Sequence, residues 1–336
     1  MESGAGRARA QGARPRVVVV GAGMAGLTAA RQLRHDHEVI VLDKSRGVGG
    51  RMATRRIGDA TFDHGAQFLT THTAEFAAIV GEWSRAGVVA PWFTGRAGPD
   101  GVTEPDGHVR YRGVGTMNDI AKHLAESIVV NRSQRVHSIA VDGDSWELRC
   151  DGVLHRADAV VLTAPVPQSL DLLEAGGVTL DRAVLEAMRA IEYDPCLAVM
   201  APLDGPSGVP EPGVVDPTSG PVDLISDNRL KGVSATDAVT IHATPEASRS
   251  MWEAGDAEVC TRLTAAAGIP PDRLAGGCRV QRWRYARPVE VHPERCVLAH
   301  TGPPLVLAGD AFGGPKVEGA VLSGLAAAAA VRSDLG

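Results

Sequence analysis

Aromatic residues, paired cysteines, excess positive charge and long apolar runs are all scarce in this chain, and each shortage argues against a class of function. Aromatics make up only 4% of the 336 residues, beside abundant Ala, Gly, Val, Arg and Pro, a bias that a GC-rich genome would produce whatever the function. Cys150, Cys196, Cys260, Cys278 and Cys296 are scattered, odd in number and free of any CxxC pair. That pattern argues against a disulfide framework or a zinc site and fits reduced, cytoplasmic thiols. The eleven His show no metal-ligand spacing, so no metal is expected, and His35 and His37 fit a solvated turn. Net charge is −6, and four Arg against one Glu in the first 16 residues leave −9 for the remainder, which argues against general nucleic-acid binding. No segment reaches the ~18 apolar residues needed to span a bilayer. Residues 1–15 have no apolar signal-peptide core and are expected to be a disordered tail. A soluble, cytoplasmic protein is the expectation.

What is present is organised around residues 16–43. Val17–Val20 is a β-branched run suited to a strand buried on both faces of a parallel sheet. It leads into Gly21-x-Gly23-x-x-Gly26, after which Leu27, Ala30 and Leu33 keep helical spacing. A second strand, Val39–Leu42, ends on Asp43, 22 residues after Gly21. Gly21 permits the tight turn, Gly23 lets the backbone approach a pyrophosphate, and Gly26 lets helix and strand pack closely. The helix start, at Met24 and Ala25, then offers N–H groups and a positive dipole end to phosphate. Asp43 suits the hydroxyls of an adenosine ribose and would repel a 2′-phosphate. Strand, glycines, helix, strand and acid fall in the order that a βαβ dinucleotide site requires. This stretch alone admits FAD or NAD.

Lys44-Ser-Arg-Gly-Val-Gly-Gly-Arg51 adds two glycine clusters and two arginines behind the acid, suiting a second phosphate contact of an extended FAD. The spacing of Phe76, Ile79, Val80 and Trp83 predicts a helix over 73–85. Residues 94–108, with four Gly and two Pro, read as a loop, and Met117, Ile120, Ala121 and Leu124 as a helix. Residues 129–164 read as strands, a three-stranded meander breaking into the parallel sheet, where Val136 can touch an adenine ring. A helix over 180–190, strands near 197–201, 222–225, 239–242 and 279–284, and a helix over 258–267 follow. Residues 202–221, with six Pro and four Gly, read as an irregular surface loop. Near the C-terminus a strand, Leu305–Ala308, ends at Gly309-Asp310, and a glycine loop leads to a helix starting near Val317. Asp310 is placed for a ribityl hydroxyl. The N–H groups near Gly319 and Ala320 would face the pyrimidine edge of a flavin.

With both ends in hand, the chain resembles the renalase branch of the FAD-dependent amine-oxidase-like flavoproteins. The resemblance rests on residues 43–52 (DKSRGVGGRM), 63–68 (DHGAQF), 242–244 (HAT), 282–288 (RWRYARP), Gly309-Asp310 and 317–324 (VEGAVLSG). It implies an α/β fold: a Rossmann-type FAD-binding domain, glutathione-reductase-like or p-hydroxybenzoate-hydroxylase-like, with an inserted α+β substrate domain. The expected division is 16–62, 115–180 and 297–336 for the FAD-binding domain, and 63–114 and 181–296 for the substrate domain.

The resemblance further implies non-covalent FAD. It adds Gly50, Arg51, Gly65, Ala66, Gln67 and Phe68 to the cofactor contacts named above. Gln67, His242, Trp283 and Tyr285 would line the substrate face. Bacterial relatives oxidise the 2- or 6-dihydro isomers of NAD(P) and pass the electrons to oxygen as peroxide. Read from the residues alone, His242 equally suits a hydrogen-bonded core histidine, and Trp283 and Tyr285 equally suit the core. Hydride transfer needs positioning more than acid–base chemistry, so the four are expected to position substrate. An amine oxidase, a flavin monooxygenase and a non-catalytic FAD-binding protein are the competing readings. No second GxGxxG follows a strand after residue 44, so a separate NADPH site is not expected.

Overall fold

The computed structural model describes residues 14–300 and 302–335, so most of the tail expected at 1–15 lies outside the described residues. The chain divides into two compact units. One comprises Met1–Gly50, Leu124–Glu192 and Pro288–Gly336; the other comprises Arg51–His123 and Tyr193–Arg287.

The first unit is built on a six-stranded sheet in the order Val297–His300, Leu305–Leu307, Ala159–Leu162, Arg16–Val20, Glu38–Asp43, Val129–Arg132. All neighbours are parallel except the Val297–His300 edge strand, which runs antiparallel to Leu305–Leu307. Val17–Val20 sits in the middle and is buried on both faces, which is why its sequence is an unbroken apolar run. His37, expected in solvent, is buried. It shares the inward side of the following strand with Val39 and Val41, because side chains alternate with period 2. The meander is present as Val136–Asp142, Ser145–Cys150 and Leu154–Ala157, paired antiparallel. A helix not expected from the sequence, Val166–Ala175, starts behind Pro165, whose fixed φ suits a helix entry.

The second unit carries a five-stranded sheet in the order Val214–Val215, Val222–Asp227, Ala238–Ala243, Tyr193–Pro202, Arg279–Pro288. Leu197, Val199, Ala201, Val239 and Ile241 face a core closed by Val259, Cys260 and Leu263 of helix Asp256–Ala266. Met200 and Ala238, on the opposite face, pack on Ala60 and Phe62. Residues 94–108 are not a loop. Val89–Gly98 and Gly101–Gly113 form one long antiparallel hairpin. Its glycines serve the irregularities of the ladder: Gly95, Gly101 and Gly107 have φ of +106°, +100° and +77°, and the register shifts around Pro91–Ala97.

The unit boundaries also depart from the expected division. Residues 51–62, expected with the nucleotide domain, belong to the second unit, because Thr54–Ile57 pairs with Ala60–Asp63 and Phe62 packs on that unit's sheet. Residues 115–123 join them through the Met117 amide, which bonds Asp63. Residues 181–192 and 288–296 belong to the first unit, where Val289 N–H donates to Glu192 O at 2.9 Å and His292 N–H to Ala311 O at 2.7 Å. Among the described residues no helix is long and apolar enough to cross a membrane.

Helix Lys316–Leu335 packs so closely on helix Met24–Leu33 that a Cβ on Gly324 would lie 2.3 Å from Ala25 O. Gly324→Ala should therefore force the helices apart and cost about 1–3 kcal/mol, the usual penalty of overpacking. The chemical-denaturation midpoint of the purified variant measures it.

Candidate functional site

In the first unit the two glycine clusters and the acid of the second strand converge. Gly21 has φ +109° and donates its N–H to Leu42 O at 2.8 Å, which turns the chain sharply off the first strand. A Cβ on Gly26 would stand 2.0 Å from Gly21 O. Helix Met24–Leu33 is capped by Gly23 without any side-chain hydrogen bond, and its first internal bond is Leu27 N–H to Gly23 O. The N–H groups of Met24, Ala25 and Gly26 thus have no intrahelical partner, and a Cβ on Gly23 would meet nothing within 4 Å. Open space in front of three unspent amides fits a pyrophosphate.

The second cluster leans on the first. Gly49 N–H donates to Ala22 O at 2.7 Å, and a Cβ on Gly50 would lie 3.5 Å from Gly23 Cα. Asp43 is held by backbone on both oxygens: Oδ2 accepts from Ala22 N–H and Oδ1 from Ser45 N–H, each at 2.7 Å. One lone pair on each oxygen is left for a diol. Lys44 donates to Gln168 Oε1 at 3.1 Å, and its pKa is lowered by burial and by Arg135. Gln134 N–H donates to Asp43 O at 2.9 Å, two residues before Val136, which is buried at the start of the meander. At the other end of the chain, Gly309 N–H donates to Ser323 Oγ at 2.8 Å and Asp310 is buried. There Gly319 approaches Gly314 so closely that a Cβ would lie 1.6 Å from the Gly314 oxygen, with Val317 buried and Ala320 half-buried on the same turn of helix.

In the second unit the 63–68 segment is the centre of a buried polar network. Asp63 is 0% exposed. Its Oδ1 accepts from Thr54 Oγ1 at 2.6 Å and Met117 N–H at 3.1 Å, and its Oδ2 accepts from Lys231 Nζ at 2.9 Å. Lys231 is itself fully enclosed, with its ammonium 5.2 Å from the centroid of the Trp92 ring. Burial pushes its pKa down, and the Asp63 charge opposes that. Gly65 is required here, since a Cβ would stand 1.9 Å from Arg51 O, which also accepts from Ala66 N–H at 2.8 Å.

Gln67 departs from its expected place. It is buried, its Nε2 donates to Asp63 O at 2.7 Å and Gly65 O at 3.1 Å, and its Oε1 accepts from Lys231 at 3.3 Å. The nitrogen end of the amide is spent on the turn and the oxygen end on Lys231, so Gln67 shapes the segment and does not line a substrate face. Arg51 likewise turns its Nη1 to the Tyr285 and Ala286 carbonyls, each at 3.2 Å. Phe68 is half-buried and packs edge-on against Phe93, with ring centroids 5.7 Å apart.

Two of the expected positioning residues meet on a residue that the sequence reading passed over. His64 O accepts from Trp283 Nε1 at 2.9 Å and from His242 Nε2 at 3.3 Å. The His64 ring stacks on Trp283 with centroids 5.4 Å apart and planes 15° from parallel. Tyr285, two residues along the same strand, is a separate contact: it sits edge-on to Tyr193 at 5.5 Å. Burial pushes the His64 pKa down to about 4, assisted by Arg55 and His242. Burial likewise pushes His242 down to about 4, against the raising effect of its bond to His64 O. His64 lay inside the quoted 63–68 string, so a signal existed. Nothing in the polar stretch 227–232 marks Lys231 as buried.

Lys231→Met should strand the Asp63 carboxylate and cost about 3–5 kcal/mol. Adding Asp63→Asn should return a large part of it, read as a double-mutant cycle in urea. A pH dependence follows from the histidines. The unfolded chain protonates His64 and His242 as pH falls through 6.5, whereas the folded chain resists until about 4. The stability at stake is complete above pH 6.5, is lost progressively between 6.5 and 4, and falls no further below 4 on their account. Melting temperatures across pH 4–8 should show that slope, and His64→Leu should reduce it.

The two glycine-rich segments and this network can be set beside known proteins. A family model described as an NAD(P)-binding Rossmann-like domain matches residues 19–83, and one described as a flavin containing amine oxidoreductase matches residues 93–332. Over 54 residues the chain is 52% identical to a Mycobacterium tuberculosis protein named as the flavin-containing monoamine oxidase AofH, a stretch spanning 16% of this chain and 12% of that protein. Wild-type putrescine oxidase bound to putrescine superposes with a TM-score of 0.70 at 15% identity, covering 95% of this chain and 99% of that one. An Exiguobacterium protein named as a protoporphyrinogen oxidase gives 0.67 at 12% identity, with 95% and 99% covered. At these identities the structural likeness is one of fold: a Rossmann-type FAD-binding unit carrying an inserted substrate-binding unit. Because the second family model takes in most of the chain, this protein belongs to the family of flavin containing amine oxidoreductases, with FAD as its cofactor.

Proposed function

We propose that this chain is an FAD-dependent oxidase that removes a hydride from a carbon bonded to nitrogen in a small molecule, with an amine as the donor. The observation that carries the reading is the convergence of His242 and Trp283 on His64 O. A carbonyl can only accept, so His242 Nε2 carries the proton. In a neutral ring Nδ1 is then the acceptor, a group able to hold the N–H of a donor molecule. Trp283, fixed by its own bond and by the stacked His64 ring, offers a rigid half-buried apolar wall. Hydride loss from a carbon next to nitrogen leaves positive charge on that nitrogen. His64 and His242, both kept uncharged by burial down to about pH 4, do not oppose that charge at neutral pH. FAD, when bound, accepts the hydride and returns the electrons to oxygen as hydrogen peroxide. The remaining contribution of the chain is orientation, where a misplacement of ~1 Å costs ~100-fold in rate.

The renalase-branch reading, with 2- or 6-dihydro-NAD(P) as donor, is the second one. The 43–52 and 317–324 strings favour it, while the family match favours amines. The two share one chemistry, because in both isomers the saturated ring carbon is bonded to the ring nitrogen. In ordinary 4-dihydro NADH the reacting carbon is remote from it.

Anaerobic mixing of the flavoprotein with primary and secondary amines and with the three dihydro-NAD(P) isomers decides between them. Bleaching of the flavin by an amine is expected, slowed about ten- to a hundredfold in His242→Ala at unchanged flavin content, the loss of one well-placed contact. Bleaching by the 2- or 6-dihydro isomers alone would transfer the protein to the second reading. Bleaching by neither would defeat both.

A further inference from the structure

We infer that the cleft between the Val129–Arg132 edge strand and the Leu154–Ala157 strand of the meander binds a small hydroxylated phosphate ester, with Arg46 and Arg132 holding the phosphate and Gln134 a hydroxyl group.

The cleft has a volume of about 610 Å³ and lies wholly within the first unit. Val129–Arg132 is the last strand of the six-stranded sheet, and Leu154–Ala157 is the last strand of the meander. Each therefore keeps one backbone edge that no other strand covers. Arg46 and Arg132 line the cleft, and no Asp or Glu does. Both arginines are exposed, and neither guanidinium has a hydrogen-bond or ion-pair partner among the described residues. Two uncompensated guanidinium forks on one cavity select an anion, and their planar geometry matches phosphate.

Arginines on an open surface are ordinarily solvated, and what distinguishes this cleft is the pair of atoms buried in its walls. Gln134 Oε1 and His155 Nε2 are both shut off from solvent, and both are without a hydrogen-bond partner. Buried polar atoms in folded proteins are nearly always paired, so two orphans lining one cavity mark where a ligand supplies the missing groups. Gln134 Oε1 can only accept, and the partner it lacks is a hydroxyl or an N–H. Burial and the Arg16 charge lower the pKa of His155, which keeps its ring neutral at pH 7 and able to pair with a second hydroxyl. Val130 and Val153, on the same walls, offer apolar surface to a carbon skeleton. Inorganic phosphate would satisfy the arginines and leave the rest of this lining unused.

Backbone bonds bring the cationic and the accepting groups together. Ser133 N–H donates to Ser45 O and Gln134 N–H to Asp43 O, each at 2.9 Å, so the turn carrying Gln134 is tied to the loop carrying Arg46. Ser133 sits in that turn at φ +55°, a left-handed conformation that serine seldom adopts and that such bonds must hold in place. Gly21, Gly23, Asp43, Lys44 and Val136, all expected on the dinucleotide, are absent from the lining, so the cleft is separate from those contacts.

Calorimetric titration of the flavin-loaded protein at low salt tests the site with three probes: ribose 5-phosphate, ribose and sodium sulfate. Ribose 5-phosphate is expected to bind once per chain and about tenfold or more tighter than sulfate, which has no hydroxyl to give, while ribose alone shows no saturable binding. Arg46→Ala and Arg132→Ala should each weaken both anions about tenfold. Gln134→Leu should weaken ribose 5-phosphate and leave sulfate unchanged. Flavin absorbance per chain should be the same in all three variants. Absence of saturable ribose 5-phosphate binding overturns the inference, as does equal affinity for sulfate, which would reduce the cleft to a patch of charge. Flavin loss in the folded arginine variants also overturns it, by assigning the cleft to the cofactor. The ranking of the three probes on the unsubstituted protein decides the matter even if a variant fails to fold.

Discussion

The ion pair between Lys231 and Asp63 is the interaction on which the substrate-binding unit of this protein depends. Both side chains are removed from water altogether, so neither charge has an alternative partner in solvent. A pair of this kind adds little net stability over an apolar replacement, but breaking it on one side is costly. Its effect here is to fix geometry. Asp63 binds side chains through its carboxylate and binds Thr240 and Gln67 through its carbonyl, at 2.8 and 2.7 Å. The next carbonyl, that of His64, holds His242 and Trp283. The positions of both aromatic side chains are thus set by a charge that neither of them touches.

The nucleotide unit achieves precision by other means. Its turns at Gly26 and Gly319 are held by close approach of backbone to backbone, at distances where any side chain would collide. The polar groups that remain are amides at a helix start and a carboxylate at a strand end, which are fixed as soon as the sheet forms. One unit is therefore specified by what is left out of the sequence and the other by a few buried charges.

That contrast explains how much could be read from the residues in order. The Val17–Asp43 element is local: strand period, glycine spacing and acid all lie within one supersecondary unit, and the fold follows them. The 73–85 helix was legible from its apolar spacing, and the meander from its turn residues. The 94–108 hairpin was not, because bulges and loops draw on the same glycines and prolines. His37 was misread for a related reason, since a histidine in a short turn gives no sign of the strand face it will share. Lys231, Gln67 and His64 depend on contacts over 160 residues or more in chain separation. No local pattern encodes which lysine among polar neighbours will be enclosed, nor that a glutamine in a motif will spend one end of its amide on its own turn and the other on that lysine.

The two amides on Asp43 have one further meaning. A carboxylate at a strand end would ordinarily be hydrated and free to rotate, and binding a diol would first require stripping that water and freezing that rotation. Here Ala22 and Ser45 have already replaced part of the hydration and fixed the plane of the group. A diol bound at this carboxylate would meet an acceptor already oriented by the polypeptide, so the entropic cost of ordering that acceptor falls on folding and not on binding.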